Sequence, residues 1–167
     1  METESWFEEH AEEIYKYILF MVKNKGTAED LTQETFIKAF INSQKFTGDS
    51  TVKTWLYRIA YTTTMNHFRK KHPISTLFDS PISIKSAEET FLEQDEVKEL
   101  YRAISTLKMS HQKVIILRKI QLLSVKETAA VLGWSESKVK MQLSRALLSL
   151  KDSVKKQGGI TYEQSAR

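Results

Sequence analysis

A segment near the C-terminus carries polar and basic side chains at spacings that suit hydrogen bonding to DNA. Lys140, Ser144 and Arg145 fall at i, i+4 and i+5 of a predicted helix, so they project together. Arginine can donate two hydrogen bonds to a guanine edge in the major groove, whereas a lysine that touches phosphate adds affinity alone. Met141 can contact a thymine methyl group or pack against the preceding helix. The candidate base-reading residues are Ser137, Lys138, Lys140, Met141, Ser144 and Arg145.

The surrounding residues predict a helix-turn-helix that would hold this face outward. Ser124 followed by Glu127 is a capping box that begins the first helix, and Gly133 ends it. Ser135 can cap the second helix, with Gln142 on its polar face. The stripe expected to be buried consists of Val139, Leu143, Ala146, Leu147 and Leu150. Because the pattern is permissive, the alternative is a corner of an all-α core whose basic residues only aid solubility.

The N-terminal part of the chain predicts two helices with acidic outer faces. The first runs from Trp6 to about Val22, and the second opens at Thr27. The residues expected to be buried in the first are Trp6, Phe7, Ile14, Ile18, Leu19 and Val22. Those expected to be buried in the second are Leu31, Phe36, Ile37, Phe40 and Ile41. The outward face of the second helix would carry Asp30, Gln33, Glu34 and Lys38.

A polar loop from Lys45 to Thr51 precedes a third helix. Gly48-Asp49 is a turn pair, and Phe46 is an aromatic with no helical partner nearby. Phe46 can stack on an extruded base, an interaction worth about 1 to 3 kcal/mol. Its alternative is a place in the core, which is also the interpretation favoured for Trp55.

The third helix carries basic residues and ends at a proline break. It is expected to run from residue 52 to the His72-Pro73 pair. Its cations can neutralise phosphates, which gives affinity but little sequence discrimination. They are Arg58, Arg69, Lys70 and Lys71.

Length and composition indicate an all-α protein of two small helical domains. The 167 residues include 41% hydrophobic ones, which is enough for compact cores, and no segment has a strand pattern. We expect domains at 1–72 and 91–157, a flexible linker at 73–90 that contains both prolines, and a tail at 158–167. Gly158-Gly159 is expected to stop the last helix. The net charge of +4 permits a nucleic-acid partner without demanding one.

Several classes of protein are disfavoured. The chain has no cysteine, which excludes disulfides and thiol catalysis and fits a reducing cytoplasm. Its longest apolar run, Tyr17 to Val22, is far too short to span a bilayer, and the residues METESWFEEH lack the positively charged region typical of a signal peptide. The four histidines are scattered, and no metal-ligand spacing or glycine-rich phosphate loop occurs. We therefore expect a cytoplasmic protein that is not an enzyme and binds no cofactor or metal.

Several motifs, in a fixed order, resemble bacterial sigma factors of the sigma-70 family. Asp30-Leu31-x-Gln33-Glu34-x-Phe36, Phe46-x-Gly48-Asp49-Ser50 and the stretch from Thr54 to Ala60 are similar to the second conserved domain of that family. Leu107, Val114, Leu117-Arg118 and the helix-turn-helix are similar to the fourth. The short linker, with no third domain, resembles the extracytoplasmic-function group.

This resemblance implies a specificity subunit for RNA polymerase. Core polymerase would be bound through Asp30, Gln33, Glu34 and Lys38. The −10 element would be recognised and melted through Phe46, Gly48, Asp49, Ser50 and Thr62, and the −35 element would be read by the helix-turn-helix. The other expected partner is an anti-sigma factor, often membrane-anchored. The regulon would concern stress or the cell envelope.

The chain departs from the family pattern at several positions. Thr62 stands where asparagine is usual, Asn66 where aspartate is usual, and Lys108 where proline is common. Ser137-Lys138 replaces Gly-Thr, and Met141-Gln142 replaces Ser-Arg. All but Lys108 lie near DNA-facing positions, so these departures concern the promoter sequence.

The length of the predicted linker is compatible with two domains that sit on separate promoter elements. A linker of residues 73–90 can span at most roughly 60 Å when extended, and promoter elements one to two helical turns apart lie about 35 to 70 Å from each other.

The competing class is a helix-turn-helix regulator that binds operator DNA without polymerase. Such a regulator would give no function to the motifs of the N-terminal half.

Overall fold

The structure, a computed structural model, describes residues 2–71 and 95–165, with side chains for 3–71 and 98–156. These residues form helices and no strand, which confirms the predicted all-α class. The helices are α1 (Glu2–Val22), α2 (Lys25–Ile41), α3 (Val52–Lys71), α4 (Asp95–Ser105), α5 (Met109–Ile115), α6 (Val125–Leu132) and α7 (Glu136–Ser165). A 3₁₀ turn occupies Ser43–Lys45, and a π-helical segment, Ile116–Ile120, continues α5. The linker expected at 73–90 lies outside the described residues.

The first three helices pack on one another, and α2 begins earlier than the sequence predicts. Asn24 is its N-cap, because the Asn24 side chain accepts a hydrogen bond from the Thr27 amide at 2.7 Å. The expected start at Thr27 is therefore wrong by two residues. The preceding Lys23 has a left-handed backbone, with φ of +60°.

The core-facing side of α2 differs from the predicted one. Ile37 and Ile41 are 58% and 75% exposed, and Phe40 and Phe7 are also exposed, so the prediction that these four are buried is wrong. The buried residues of α2 are Ala28, Leu31, Thr32, Thr35, Phe36 and Ala39. Their hydroxyl groups are satisfied locally, because Thr32 donates to the Ala28 carbonyl and Thr35 to the Leu31 carbonyl, both at 2.7 Å. Alanines and threonines thus share the inner stripe between α1 and α3 with Leu31 and Phe36, and Ile37 and Ile41 lie outside it.

The C-terminal helices α4 to α7 form the second half of the molecule. Helices α5, α6 and α4 each pack against α7. Between the π-helical segment and α6, Leu122 adopts a left-handed conformation with φ of +59°. Arg118 donates from Nη1 to the Leu123 carbonyl in the same connection.

The last helix is longer than expected. It continues through Gly158-Gly159 to Ser165, so the prediction that this pair ends the helix is wrong. Glycine lowers helix propensity by about 1 kcal/mol per residue, which weakens a helix without terminating it.

The two halves are in contact and share one core. Helix α3 packs against α6, and α1 touches the π-helical segment. Buried apolar residues from Trp6 to Ala146 form a single contiguous cluster. The described ranges on either side of the linker therefore pack as one body.

Candidate nucleic-acid interface

The helix-turn-helix is built by local hydrogen bonds that the sequence predicts. Ser124 Oγ accepts from the Glu127 amide at 3.0 Å, and Glu127 Oε2 accepts from the Ser124 amide at 2.7 Å, so both bonds of the capping box are present. Gly133 ends α6 in the left-handed region with φ of +68°. Ser135 Oγ then accepts from the Lys138 amide at 3.1 Å and caps α7.

The first turns of α7 present an exposed polar and basic face. Val139 and Ala146 are fully buried against the rest of the domain, while Leu147 is exposed, so the buried stripe is narrower than predicted. The Lys138 ammonium group lies 4.6 Å from the centroid of the Trp134 ring. All six candidate base-reading residues of this face are exposed: Ser137, Lys138, Lys140, Met141, Ser144 and Arg145.

Gln142 faces inward, contrary to the prediction. Its side-chain oxygen is buried, and its side chain lies near His111 of α5. Burial lowers the pKa of His111, the charges of Lys108 and Arg145 act in the same direction, and the Gln142 contact opposes them. His111 of α5 and Gln142 of α7 therefore lie together at the buried side of α7.

A second candidate site is a cavity of about 340 Å³ between α2 and α3. Lys38, Asn42 and Lys45 line one side of it. Trp55, Arg58, Ile59, Thr62 and Thr63 of α3 line the other. The predicted residues Arg58 and Thr62 are thus brought together. Asn42 and Lys45 were missed, because Asn42 is the C-cap of α2 and Lys45 lies in the following 3₁₀ turn, beyond the helical pattern that holds Lys38.

Phe46 lies beside this cavity, in a cluster of aromatic rings. Its centroid is 5.9 Å from that of Trp6 and 5.2 Å from that of Trp55. Trp6 and Trp55 themselves meet edge to face at 5.6 Å. Phe46 is partly buried against the core, so its ring anchors the loop. Trp55 packs against the same core and also lines the cavity.

The loop that follows Phe46 is exposed and is held by short-range hydrogen bonds. Gly48 has φ of +79°, and Thr47 Oγ1 donates to Asp49 Oδ2 at 2.6 Å. Ser50 Oγ donates to the Thr51 carbonyl at 3.3 Å. The Thr51 hydroxyl accepts from the Thr54 amide at 3.1 Å and fixes the start of α3.

A third surface is the outer face of α2. Asp30, Gln33 and Glu34 are exposed along it, and Ile37 and Ile41 extend it toward the C-terminal end of the helix. The surface is therefore acidic at one end and apolar at the other.

Lys38 belongs to the cavity as well as to α2. Its ammonium group contacts Glu34 Oε1 at 2.7 Å and donates to Thr63 Oγ1 at 3.3 Å. Lys38 therefore lies between the acidic outer face of α2, where it pairs with Glu34, and the cavity, which it helps to line.

The basic residues of α3 are accessible. Arg58 stands at the cavity, and Arg69, Lys70 and Lys71 lie exposed in the last turns. Arg69 donates to the Asn66 side chain at 3.3 Å. Arg58 and Arg69 lie on the side of the helix that carries Thr62, and Lys70 and Lys71 are exposed at its end, which suits contact with a phosphate backbone.

Other kinds of site were sought in the described parts of the chain. Among the side chains described, those of residues 3–71 and 98–156, no cluster of three or more histidine, aspartate or glutamate residues could hold a metal ion. None of the helices described is both long and apolar enough to cross a bilayer.

Two family models match the chain, one in each half. The Sigma-70 region 2 profile matches residues 6–73, and the Sigma-70 region 4 profile matches residues 98–150. These ranges coincide with the halves that carry the cavity and the helix-turn-helix. The chain belongs to the sigma-70 family of RNA polymerase sigma factors, in the extracytoplasmic-function (ECF) group.

Individual relatives resemble the chain over most of its length. It is 36% identical to the RNA polymerase sigma factor YlaC of Bacillus subtilis, with 92% of each chain covered. It is 34% identical to the ECF RNA polymerase sigma factor SigX of the same organism, with 87% of this chain and 79% of that one covered.

Solved structures show the same fold at lower identity. Sigma factor RpoE of Bartonella quintana, solved in complex with the anti-sigma factor NepR, matches 91% of this chain and 96% of its own with a TM-score of 0.69 and 22% identity. CnrH, solved in complex with the cytosolic domain of CnrY, matches 90% of this chain and 85% of its own with a TM-score of 0.69 and 21% identity.

Proposed function

We propose that this chain binds core RNA polymerase, directs it to promoters with separate −10 and −35 elements, and helps to open the duplex. The observation that carries the proposal is that one chain holds two distinct exposed surfaces suited to DNA. One is the outer face of α7, and the other is the cavity between α2 and α3 with its adjoining loop. A protein that only binds duplex DNA needs the first surface and not the second.

The −10 element would be read at the cavity. A volume of about 340 Å³ is adequate for one flipped base. Asn42 and Thr62 supply hydrogen-bonding groups, Trp55 supplies an aromatic wall, and Lys45 and Arg58 can meet the flanking phosphates. Phe46 and the loop of Gly48, Asp49 and Ser50 form one rim, because the Phe46 ring is fixed by Trp6 and Trp55.

The −35 element would be read by the exposed face of α7. Its N-terminal half is held by the Ser135 cap and by the buried Val139 and Ala146, so the exposed side chains have a rigid base. Arg145 is the residue best suited to a bidentate contact with guanine.

Core polymerase would dock on the outer face of α2. Asp30, Gln33 and Glu34 provide acidic and polar groups for a basic surface, and Ile37 and Ile41 provide exposed apolar area next to them. Apolar groups at the centre of an interface with charges around them are typical of protein docking sites.

An anti-sigma factor is a further proposed partner. RpoE of Bartonella quintana is solved with the anti-sigma factor NepR, and its fold matches nearly the whole of this chain. Such a partner, often membrane-anchored in this group, would compete for the polymerase-binding and DNA-binding surfaces. The chain would act in the cytoplasm, where polymerase works, with genes of stress or envelope response as its targets.

Run-off transcription with core polymerase on a library of random promoters tests the proposed function. We expect transcripts only when this chain is added, and enrichment of two short elements at a fixed spacing. Tight, specific binding of duplex DNA by the chain alone, with no transcription from any promoter in the library, would instead support a regulator that acts without polymerase.

A further inference from the structure

The first turn of α7, the second helix of the helix-turn-helix, contains a lysine where a positive charge is unfavourable. Lys138 is the third residue of α7, and its amide donates to the hydroxyl oxygen of the Ser135 cap at 3.1 Å. Backbone amides give the start of a helix a positive partial charge, so anionic side chains are preferred there and cations are not. Lys138 is exposed at this end of the helix. An interaction that compensates for its charge is therefore expected.

Within the protein, that interaction comes from the ring of Trp134. The Lys138 ammonium group lies 4.6 Å from the ring centroid, well inside the roughly 6 Å over which a cation is attracted to an aromatic face. None of the ion pairs among the described residues includes Lys138. The indole ring is thus the group that holds this ammonium group in the described part of the molecule.

Trp134 is itself fixed by the turn to which it belongs. Gly133 adopts the left-handed conformation that ends α6, and the Trp134 amide donates to the Ala129 carbonyl at 3.1 Å. This hydrogen bond after a left-handed residue is typical of the Schellman motif, in which the residue after the glycine packs back against the helix. The Trp134 side chain is partly buried against the core. The indole therefore offers Lys138 a fixed support.

A lysine held in this way differs from an ordinary surface lysine. An unrestrained lysine side chain has many rotamers, and ordering it on binding costs entropy. A ring that already holds the ammonium group lowers that cost and sets the direction in which the charge points. Residues in the first turn of such a helix contact base edges in the major groove. Lysine there can donate to the O6 and N7 acceptors of guanine.

We propose that Lys138 reads a guanine of the −35 element and that Trp134 is its positioning residue. The inference rests on the proposed function, because it assigns a base contact to the face of α7 proposed to bind the −35 element. Lys138 and Arg145 lie two helical turns apart, about 10 Å along the helix axis. Base pairs are stacked about 3.4 Å apart, so the two side chains meet different base pairs. The guanine assigned to Lys138 is therefore additional to the one assigned to Arg145.

Promoter selection with core polymerase tests the base contact. Active promoters are selected from a library randomised at −35, for the parent and for variants of α7 and its turn. Lys138→Met removes the charge and keeps the length of the side chain. Trp134→Leu removes the aromatic face and keeps an apolar side chain at the partly buried position. Lys140→Met is the matched control, because Lys140 is also exposed, and none of the cation–π contacts among the described residues includes it.

We expect the parent to select guanine at one −35 position at least about fivefold over other bases, and Lys138→Met to lose this preference. Trp134→Leu should weaken the same preference about two- to fivefold, and Trp134→Phe, which retains an aromatic face, should preserve it. In the Lys138→Met background, Trp134→Leu should change nothing further at that position, because the two residues act through one contact. Lys140→Met should lower the transcript yield and leave the selected sequences unchanged.

Nuclear magnetic resonance tests the contact between the two side chains without DNA or polymerase. Ring currents of the indole should move the ε-methylene protons of Lys138 upfield of those of Lys140. Trp134→Leu should return the Lys138 protons to the ordinary lysine range. Circular dichroism on each variant confirms that the helices remain.

Two selection results would overturn the inference. If the parent and Lys138→Met select the same sequences with the same stringency, Lys138 is not a base contact. If Lys138→Met loses the guanine preference and a folded Trp134→Leu keeps it, Trp134 is only a packing residue. Should Trp134→Leu fail to fold, ordinary chemical shifts for Lys138 in the parent would overturn its positioning by Trp134.

Failure of the proposed function has a different result. A parent that gives no transcript from any promoter in the library would contradict that function, and with it the base contact. The chemical shifts of the free chain would still show whether Trp134 holds Lys138.

Discussion

Leu122 is in a backbone conformation that its side chain disfavours. With φ of +59° it occupies the left-handed region, and it is also 78% exposed. The left-handed region costs a residue with a Cβ atom roughly 1 to 2 kcal/mol, a cost that glycine does not have. Little packing compensates for it, because most of the leucine side chain is in water. The connection into the helix-turn-helix is therefore strained at one residue.

We predict that Leu122→Gly stabilises the protein by about 1 kcal/mol. The expected observation is a rise in melting temperature, followed by circular dichroism. Ala130→Gly is the control, because Ala130 is exposed within α6, where glycine should instead lower stability by about 1 kcal/mol. A fall in melting temperature for both variants would show that Leu122 makes a contact that outweighs its strain.

Among the helices, features set by residues close together in sequence could be predicted, and features set by tertiary packing could not. The helix-turn-helix could be predicted because its capping box, its glycine and its Ser135 cap act within a few residues of one another. The inner face of α2 could not, since the helix packs Thr32 and Thr35 inward and leaves Ile37 and Ile41 outside. Hydrophobicity ranks those residues in the opposite order. Which face a short helix buries depends on the shape of its neighbours.

The candidate site follows the same division. Arg58 and Thr62 were expected at the DNA, and they do line a cavity, but the partners supplied by Asn42 and Lys45 come from another element. The sequence allowed two roles for Phe46, contact with a base or packing in the core. The structure places its ring against Trp6, forty residues earlier in the chain, which no local pattern indicates.

On α7, we predict that Arg145→Ala relaxes the preference at one or two −35 positions, at a cost of about 1 to 3 kcal/mol of discrimination. Lys140→Ala should reduce transcription from all promoters alike, because a phosphate contact carries no sequence information. Selection of active promoters from a library randomised at −35 measures both effects. Lys151→Ala, which removes an exposed charge farther along α7, is the control. Identical selected sequences for the parent and Arg145→Ala would contradict a base-reading role.

On α2, we predict that Asp30→Lys combined with Glu34→Lys lowers co-purification with core polymerase at least tenfold while the melting temperature changes little. The charges are exposed, and reversing them would repel a basic docking surface by several kcal/mol. The Glu8→Lys, Glu12→Lys pair on α1 is a close control. It has the same spacing, and Glu12 contacts Lys16 at 2.7 Å just as Glu34 contacts Lys38 at 2.7 Å. Normal co-purification of the α2 variant would remove this face from the docking surface.

At the scale of the whole molecule, the contacts between the halves are the part least accessible to sequence analysis. Tyr57 and Gln121 are 64 positions apart, and each belongs to a segment whose pattern is explained without the other. The sequence indicates two domains and a linker. That they close on each other depends on a few side chains, among them a buried lysine that composition would place in water.

Two buried lysines make the stability of the closed molecule depend on pH. Burial lowers the pKa of both Lys23 and Lys113 to about 8, while an unfolded lysine titrates near 10.4. The unfolded chain therefore binds more protons between these values, and stability rises with pH across that window. Below pH 8 the cost of burying the charged amines is fully present.

We predict that the melting temperature of the parent, relative to a Lys23→Met, Lys113→Met variant, increases between pH 7.5 and pH 9.5. The shift of each lysine corresponds to a few kcal/mol at most, because one pKa unit is about 1.4 kcal/mol. Thermal melts at a series of pH values at constant ionic strength measure the difference. Parallel curves for the two proteins would show that neither lysine is buried in solution.

The shared core also has a consequence for synthesis. Helix α3 leaves the ribosome with Tyr57 and Tyr61 already in place, but Lys113 and Gln121 emerge later. At about 5 to 20 residues per second, translation leaves the back of α3 uncovered for several seconds. During that interval the nascent chain presents an aromatic surface that the finished protein hides. A chaperone or an early-binding partner that reads this surface would meet only molecules still being made.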